Sequence, residues 1–431
     1  VLDTAKKPRV AVYGLWHLGV VTAACMAEFG FDVVAIDENQ AVIDGLRVGD
    51  TPVFEPSLPE IILNMQSVGR LSFSSDINDV RGCDILWITI DTPVDDNDYS
   101  DVESVIDRSL VAAKILADGA VMLVSSQLPV GSCEKIIALL DRSKITVACV
   151  PENLKLGRAV ENFRNPDAFI VGVDTVQRKT IDDIFLCIYG DKIIYISICS
   201  AELVKHFINS FLALSVAFTN EIARICERFG ADALEVERGV RFDARIGAKS
   251  YVKAGGAFSG GTLARDVRFL EEIVNKNSII SPVISAIMES NARHKNWVIE
   301  RLNANFSALE GKKIAILGLS YKAGTGTLRR SAAVELAKKI HAMGADVFVY
   351  DPKVAINELS TCSFVVKSFS YAELLEKADV LIVDHLPDKK DLALLYSGLD
   401  VMHNKLIIDV NSSLSEKDIS VDIKYEAVGR L

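Results

Sequence analysis

Two stretches of this 431-residue chain repeat one plan: a basic lead-in, an apolar strand, a glycine turn, an apolar helix and a second strand ending in aspartate. The first runs from KKPRVAVYGLWHLG to FDVVAIDEN and closes at Asp37. The second runs from GKKIAILGLSYKAG to ADVFVYDPK and closes at Asp351. A strand entering a helix through a glycine turn and returning as a strand is the unit of a doubly wound sheet. Two such units predict an α/β protein with two Rossmann-like parallel-sheet domains. Each has a nucleotide-sized site, so a cofactor and a nucleotide-tethered substrate are expected to meet between them.

Between residues 9 and 199 the segments RVAVYG, DVVAID, DILWITI, VMLVSSQ, KITVACV and DAFIVGV read as strands, several of them apolar throughout, as strands buried on both faces are. DILWITIDTPV ends in a Thr-Pro turn at Thr92 and Pro93, the strand end where open α/β sheets place ligands. Glu202 to Phe229 contains no Gly or Pro, with Gly230 as C-cap and Ser200 as N-cap, which predicts a long, mostly apolar helix. A second helical run covers about 282–306, and SALEGKK reads as a linker. The expected domains are 1–200 (dinucleotide-binding), 201–306 (helical, around the long helix) and 312–431 (a second nucleotide domain).

A net charge of −11 argues against a nucleic-acid partner, since neutralising phosphates dominates that affinity. Local charge differs: from Arg238 to Arg268 there are seven basic residues against two acids. Such a stretch fits either an anionic ligand or a solvated face. The eight cysteines show no CxxC or metal-type spacing, so no metal is expected and they read as small core residues of a reducing compartment. Lys6 and Lys7 lead straight into the first strand without a signal peptide, and no apolar run approaches the roughly 20 residues that span a bilayer. A cytoplasmic protein without a membrane partner is expected.

The first turn reads Gly14-Leu-Trp16-His-Leu-Gly19. A dinucleotide fingerprint uses one glycine for the turn, a second for approach of the pyrophosphate and a third for helix–strand packing; here Trp16 replaces the second. Asp37 is placed to accept both ribose hydroxyls, which favours NAD over NADP. The indole must fold away from the pyrophosphate or displace the cofactor; alternatively it is a core tryptophan capping the first helix. On the long helix Lys205 and Asn209 are spaced i, i+4 on one face, an arrangement suited to an oxyanion or to a solvated stripe.

FEPSLPE at 54–60, LPVGS at 128–132, PENLKLG at 151–157, AELVKHFIN, DARIG at 243–247, SGGTLARD at 259–266 and GLSYKAGTGTLRRS at 318–331 follow in a set order. In that order, from end to end, the chain resembles the UDP-glucose/GDP-mannose dehydrogenase family. The resemblance implies an NAD-dependent oxidoreductase of a nucleotide sugar, of the kind that serves polysaccharide biosynthesis. It implies that Lys205 and Asn209 hold an oxyanion, that Asp266 assists proton transfer through a water, and that Glu152 is a general base. Gly14, Trp16, Leu18, Gly19, Asp37, Thr92, Ser126, Gln127, Arg265 and Arg329 would face the cofactor. Glu152, Leu154, Lys205, Asn209, Arg245, Tyr321 and Lys322 would face the substrate. Arg245 would reach into a neighbouring subunit, implying a homodimer built on the long helix.

The chain also departs from the family pattern. The family loop reads like GGSCFPKD with cysteine as nucleophile, whereas SGGTLARD puts Thr262 at that position; Gln127 and Asn153 depart in two further segments. A thiol has a pKa of about 8.5 that nearby cations lower easily, while a threonine hydroxyl needs an adjacent base. Thioester chemistry is therefore expected to be absent. The first hydride transfer needs no thiol. Three routes remain open: release of a carbonyl, re-reduction as a redox-neutral epimerase, or oxidation of a hydrate. A nucleotide-sugar-binding protein without catalysis is the alternative class.

Overall fold

The computed structural model describes residues 7–93, 95, 100–140, 145–151, 154–259, 261–321, 328, 330–359, 362–376, 378–386, 392–402 and 404–431. The chain forms two compact units, Val1–Ile208 and Asn209–Leu431.

The first unit is built on an eight-stranded sheet. In chain order its strands are β1 (Arg9–Tyr13), β2 (Asp32–Ile36), β3 (Leu71–Ser74), β4 (Ile85–Ile88), β5 (Val121–Val124), β6 (Thr146–Cys149), β7 (Phe169–Gly172) and β8 (Ile193–Ile196). Their spatial order is β3-β2-β1-β4-β5-β6-β7-β8. All neighbours are parallel except β6 and β7, which meet antiparallel at Cys149 and Gly172. The helices are α1 (His17–Glu28), α2 (Gln40–Arg47), α3 (Leu58–Ser67), α4 (Val102–Ala113), α5 (Ser132–Leu139), α6 (Ala159–Arg164) and α7 (Arg178–Tyr189). Every segment expected to be a strand is one. β1, β4 and β5 are buried almost throughout because helices cover both faces, which is why they read as unbroken apolar runs. Trp87 on β4 is fully buried, and its indole N–H donates to Ser125 Oγ at 2.8 Å.

α8 (Ile198–Phe229) is a single 32-residue helix. It starts earlier than expected: Ser197, not Ser200, is the cap, its Oγ accepting the Ser200 N–H at 3.2 Å. The expectation that no segment would have the length and hydropathy of a bilayer span does not hold for α8, which passes by length and composition. Its buried polar side chains explain it as a protein-facing helix. Glu202 accepts the Gly131 and Cys133 N–H groups at 2.7 and 2.8 Å, and His206 Nε2 lies 2.8 Å from the Leu128 carbonyl. Such groups satisfy one another inside a protein and are costly in lipid.

The second unit continues through α9 (Ala233–Arg241), α10 (Gly261–Lys276), α11 (Pro282–His294) and α12 (Trp297–Asn305). The expected single run over 282–306 is broken at Lys295 and Asn296, which lets His294 and Trp297 both turn inward. The second sheet contains β9 (Lys313–Leu317), β10 (Asp346–Tyr350), β11 (Val366–Lys367), β12 (Val380–Val383), β13 (Leu406–Asp409) and β14 (Lys424–Ala427). With it come α13 (Ala332–Ala342), α14 (Ile356–Leu359), α15 (Tyr371–Glu376) and α16 (Leu392–Gly398). Its order is β11-β10-β9-β12-β13-β14, all parallel. The first six strands of the first sheet follow the same permutation. Each sheet therefore has a switch point between its first and fourth strands, where ligands settle beyond the strand carboxyl ends.

Candidate functional site

At the first switch point the chain leaves β1 through Gly14, whose φ is +99° and where a Cβ would lie 2.5 Å from Ile90 Cα. A Cβ on Gly19 would lie 1.9 Å from the Gly14 carbonyl oxygen, the same oxygen that accepts the Thr89 hydroxyl at 2.9 Å. Both positions require glycine, one to turn and the other to seat α1 on the strand. α1 opens at Trp16 without a side-chain cap, so its first-turn N–H groups point at whatever occupies the turn. Trp16 is 50% exposed, which overturns its reading as a core tryptophan. Leu18 is half-buried.

Asp37 is half-buried at the end of β2. Its Oδ2 accepts the Leu15 N–H at 2.8 Å and its Oδ1 the Asn39 N–H at 2.9 Å. Each carboxylate oxygen can accept more than one hydrogen bond, so both keep capacity for a diol. At the neighbouring strand ends the buried Thr92 hydroxyl donates to the Gln127 carbonyl at 2.7 Å, and the Ser126 hydroxyl to the Ile90 carbonyl at 2.7 Å. These two bonds stitch the loops after β4 and β5 together. A positive-φ glycine turn, an uncapped helix start and a carboxylate at the second strand's end fit NAD.

Sequence reasoning missed Glu55, from the FEPSLPE segment. It is fully buried, lies 2.7 Å from His17 Nε2, and accepts the Gly157 and Ala159 N–H groups at 2.6 and 3.1 Å. One carboxylate thus joins the first turn of α1 to the segment that follows Leu154, itself half-buried against the core. Glu152 lies outside the described residues.

In the second unit Asn209 on α8 and Asp266 on α10 come together, the Asn209 amide donating to Asp266 Oδ2. Both are buried, Asp266 completely, and Arg265 beside it is 6% exposed. Thr262 is exposed in the first turn of α10. Lys205 is half-buried on α8, one helical turn before Asn209. The loop leading into α10 is fastened by four side chains that sequence reasoning did not single out. Asn220 Oδ1 accepts the Gly255 N–H at 3.0 Å, and Asn411 Oδ1 accepts the Gly256 N–H at 2.9 Å. Asn291 bonds Phe258 through both its N–H and its carbonyl at 2.9 Å, and His294 Nε2 lies 2.8 Å from the Gly255 carbonyl. Burial pushes the His294 pKa down, keeping the ring neutral. A Cβ on Gly255 would sit 2.4 Å from Asn411 Oδ1, so the clamp closes only on glycine.

The second switch point copies the first. Gly318 has φ +83°, and Asp351 Oδ2 accepts the Leu319 and Ser320 N–H groups at 2.9 Å while its Oδ1 accepts that of Lys353 at 3.0 Å. Here the carboxylate is 4% exposed and closed off by His385. The ring's Nε2 lies 3.7 Å from Asp351 Oδ2 and 3.0 Å from Ser320 Oγ, and its Nδ1 lies 3.0 Å from Asp384. Burial alone would lower the His385 pKa, but the carboxylates of Asp351 and Asp384 outweigh it and lift the ring to about 9. Burial likewise opposes ionisation of Asp351, and His385 together with the three backbone N–H groups brings it down to about 2.

Beside this turn lies a cleft of about 180 Å³, lined by Ser259, Lys295, Tyr321, Lys339, Asp384 and Asn411 among others. It joins the fastened glycine loop to the carboxyl end of the second sheet. Of the residues expected to hold substrate, Tyr321 lines it, while Lys322 lies outside the described residues, as does Arg329, expected to face the cofactor. Arg245 is exposed and paired with Asp243 at 2.7 Å. Among the described residues no cluster of His, Cys, Asp and Glu has the makings of a metal site.

Three family models match the chain in succession, all of the UDP-glucose/GDP-mannose dehydrogenase family. They are the NAD binding domain over residues 8–189, the central domain over 199–293 and the UDP binding domain over 315–416. Among curated relatives, a UDP-glucose 6-dehydrogenase of Rickettsia typhi is 30% identical over 97% of this chain and 99% of its own length. One of Rhizobium meliloti is 27% identical over 98% and 99%. The solved structure of a UDP-glucose dehydrogenase from Pyrobaculum islandicum superposes with a TM-score of 0.88 at 26% identity, covering 100% of both chains.

Proposed function

The chain belongs to the UDP-glucose/GDP-mannose dehydrogenase family, NAD-dependent enzymes of nucleotide sugars, and on that premise we propose that it oxidises one carbinol of a UDP-hexose by a route that forms no thioester. The observation carrying this reading is the buried contact between Asn209 and Asp266. A side-chain amide has two N–H donors. Asp266 holds one of them, which fixes the amide plane and leaves the second for the carbinol oxygen. Lys205, one turn earlier on the same helix, adds a cation for the charge that grows there as the proton departs. Asp266 receives that proton through a water, and its hydrogen bond to Asn209 holds it ready. NAD, when bound, takes the hydride.

Thr262, in the position where the family pattern has its cysteine, offers a hydroxyl of much higher pKa than a thiol. The reaction then stops after one hydride, at a carbonyl. Glu152 is the group suited to activate a water should the carbonyl hydrate.

Along α8, Leu203, Phe207, Phe211, Phe218, Ile225 and Phe229 are exposed at roughly helical spacing. A continuous apolar stripe of this kind supports a homodimer built on α8. Eight cysteines without metal-type spacing support a reducing, cytoplasmic setting.

The experiment is a hydride balance: NADH formed per sugar consumed over UDP-, GDP- and CDP-sugars, with products identified by mass. One NADH and a carbonyl product are expected. Two and an acid would overturn the single oxidation, and an isomerised sugar without net NADH would make the enzyme an epimerase. Lys205→Ala should lower hydride transfer by about 10²–10³-fold, as loss of an oxyanion partner does elsewhere, while nucleotide binding persists. Thr262→Cys should raise acid formation; unchanged products would mean the hydroxyl is not what limits the second oxidation.

A further inference from the structure

Immediately after Asp37 the chain places a second carboxylate, Glu38. Its side chain is exposed but turns back onto the sheet rather than standing free of it. Glu38 Oε1 accepts a hydrogen bond from the phenol of Tyr13, the last residue of β1, and lies 3.2 Å from Arg108 Nε on α4. Arg108 Nε also lies 3.2 Å from the Tyr13 oxygen, and its guanidinium sits 5.2 Å from the centre of the Tyr13 ring. Burial first, and the Glu38 hydrogen bond second, push the Tyr13 phenol up to about 12, so it stays a donor at every working pH. The three groups come from β1, from the end of β2 and from the helix after β4, the elements that flank the first switch point.

NAD and NADP differ only by a phosphate on the adenosine ribose, worth about −1.5 to −2 charges at neutral pH. In doubly wound folds an arginine near the end of the second strand is what accommodates that phosphate, while a carboxylate there selects the free diol. This corner holds both kinds of group. Asp37 offers the diol a carboxylate, and Arg108 is a ready phosphate ligand whose charge and Nε–H are taken up by Glu38 and Tyr13. We propose that Glu38 is a specificity-determining residue: it holds Arg108 down on the Tyr13 ring, away from the ribose, and so excludes NADP by masking an arginine that would otherwise bind it. Asp37 alone would disfavour the phosphate only by repulsion, whereas the Glu38 latch also withholds the compensating cation.

The inference rests on the reading of the first turn as the NAD site, and the test separates the two. Dissociation constants for NAD and NADP are measured by calorimetry at low salt on the full chain, for the natural protein, Glu38→Ala, Arg108→Ala and the double variant. Failure of the natural protein to bind NAD would overturn the reading of the turn itself. If the latch is correct, Glu38→Ala tightens NADP about tenfold to a hundredfold, the scale of a charge-assisted bond to phosphate. The gain steepens the salt dependence of NADP binding and vanishes when Arg108→Ala is added. A gain that survives Arg108→Ala reduces Glu38 to plain repulsion and overturns the latch, as does no gain at all. Glu38→Gln, which keeps the side chain's length, carries the same test at smaller amplitude should Glu38→Ala fold poorly.

Discussion

The two glycine turns share one backbone plan and differ in what surrounds the aspartate. Asp37 and Asp351 each accept the N–H of the residue after the turn glycine and the N–H two residues further along their own chain. Around Asp37 the structure stays open: the carboxylate is half-buried and α1 begins three residues after Gly14. Around Asp351 it closes. His385 covers the carboxylate, and among the described residues the first helix after Gly318 is α13, which begins fourteen residues on at Ala332. Where the helix starts at once, its N-terminus and the half-buried carboxylate suit a pyrophosphate and a ribose. Where the start is delayed, the long segment and the cleft beside it suit a larger ligand, and the aspartate becomes a strut. A shared topology thus yields two different nucleotide sites by moving one helix start and adding one histidine.

Asp351→Ala should break this comparison most severely. It leaves the buried His385 cation with Asp384 alone and takes the acceptor from three backbone N–H groups, and losing one partner of a buried pair costs about 3–5 kcal/mol, read by urea unfolding, with NAD affinity unmoved. The matching change at the open turn, Asp37→Ala, should do the reverse. NAD binding weakens about tenfold to a hundredfold from loss of charge-assisted hydrogen bonds, and stability falls by only about 1 kcal/mol. Equal stability losses at the two sites would sink the distinction between strut and ligand.

The His385 pKa supplies a subtler probe. A folded value of about 9 against an ordinary 6.5 gives stability that is full below pH 6.5 and lost as pH rises through 9. The Asp351 value of about 2 gives stability present above about 4 and lost as pH falls through 2. Between pH 6 and pH 10 the natural protein should therefore lose about 2–3 kcal/mol more than His385→Gln; parallel curves would contradict the pairing. The smallest effect belongs to Trp16→Gly. The exposed indole leaves little packing to lose and glycine is a tolerated helix cap, so NAD affinity should shift only severalfold and the melting temperature hardly at all.

Much of this was legible in the chain because the relevant signals are local. The strands read as apolar runs, and the turn glycines and terminal aspartates lie within one supersecondary unit. Lys205 and Asn209 fall on one helical face by counting. The approach of Asp266 to Asn209 was reached only through family resemblance, since 57 residues separate them and no period connects them. Glu55, Asn220, Asn291, His294 and Asn411 escaped altogether, because each bonds backbone groups distant in sequence. A faint signal existed on α8, where Glu202, His206, Asn209 and Asn220 are among the polar residues of a mostly apolar helix. A polar group in such a place must be satisfied by something. The Ser197 cap was missed for a different reason: it precedes an apolar residue that reads as well as the end of β8.

The fastening of the glycine loop also bears on the order in which the protein is made. Gly256 is held by Asn411, 155 residues further along, and Glu227 near the end of α8 accepts the Gly429 N–H at 2.9 Å. Translation delivers residues in sequence and domains fold as they emerge, first sheet first. While a chain is still growing past Asp266, Asn220 is the one of the loop's four fastening side chains already made, and Asn291, His294 and Asn411 are still to come. Only when residue 411 clears the ribosome is the last of the four in place, so a chain that stops before it has the first nucleotide fold with an incompletely fastened loop. The last fastening of the loop at Gly256 is thereby set by an asparagine made 155 residues after it.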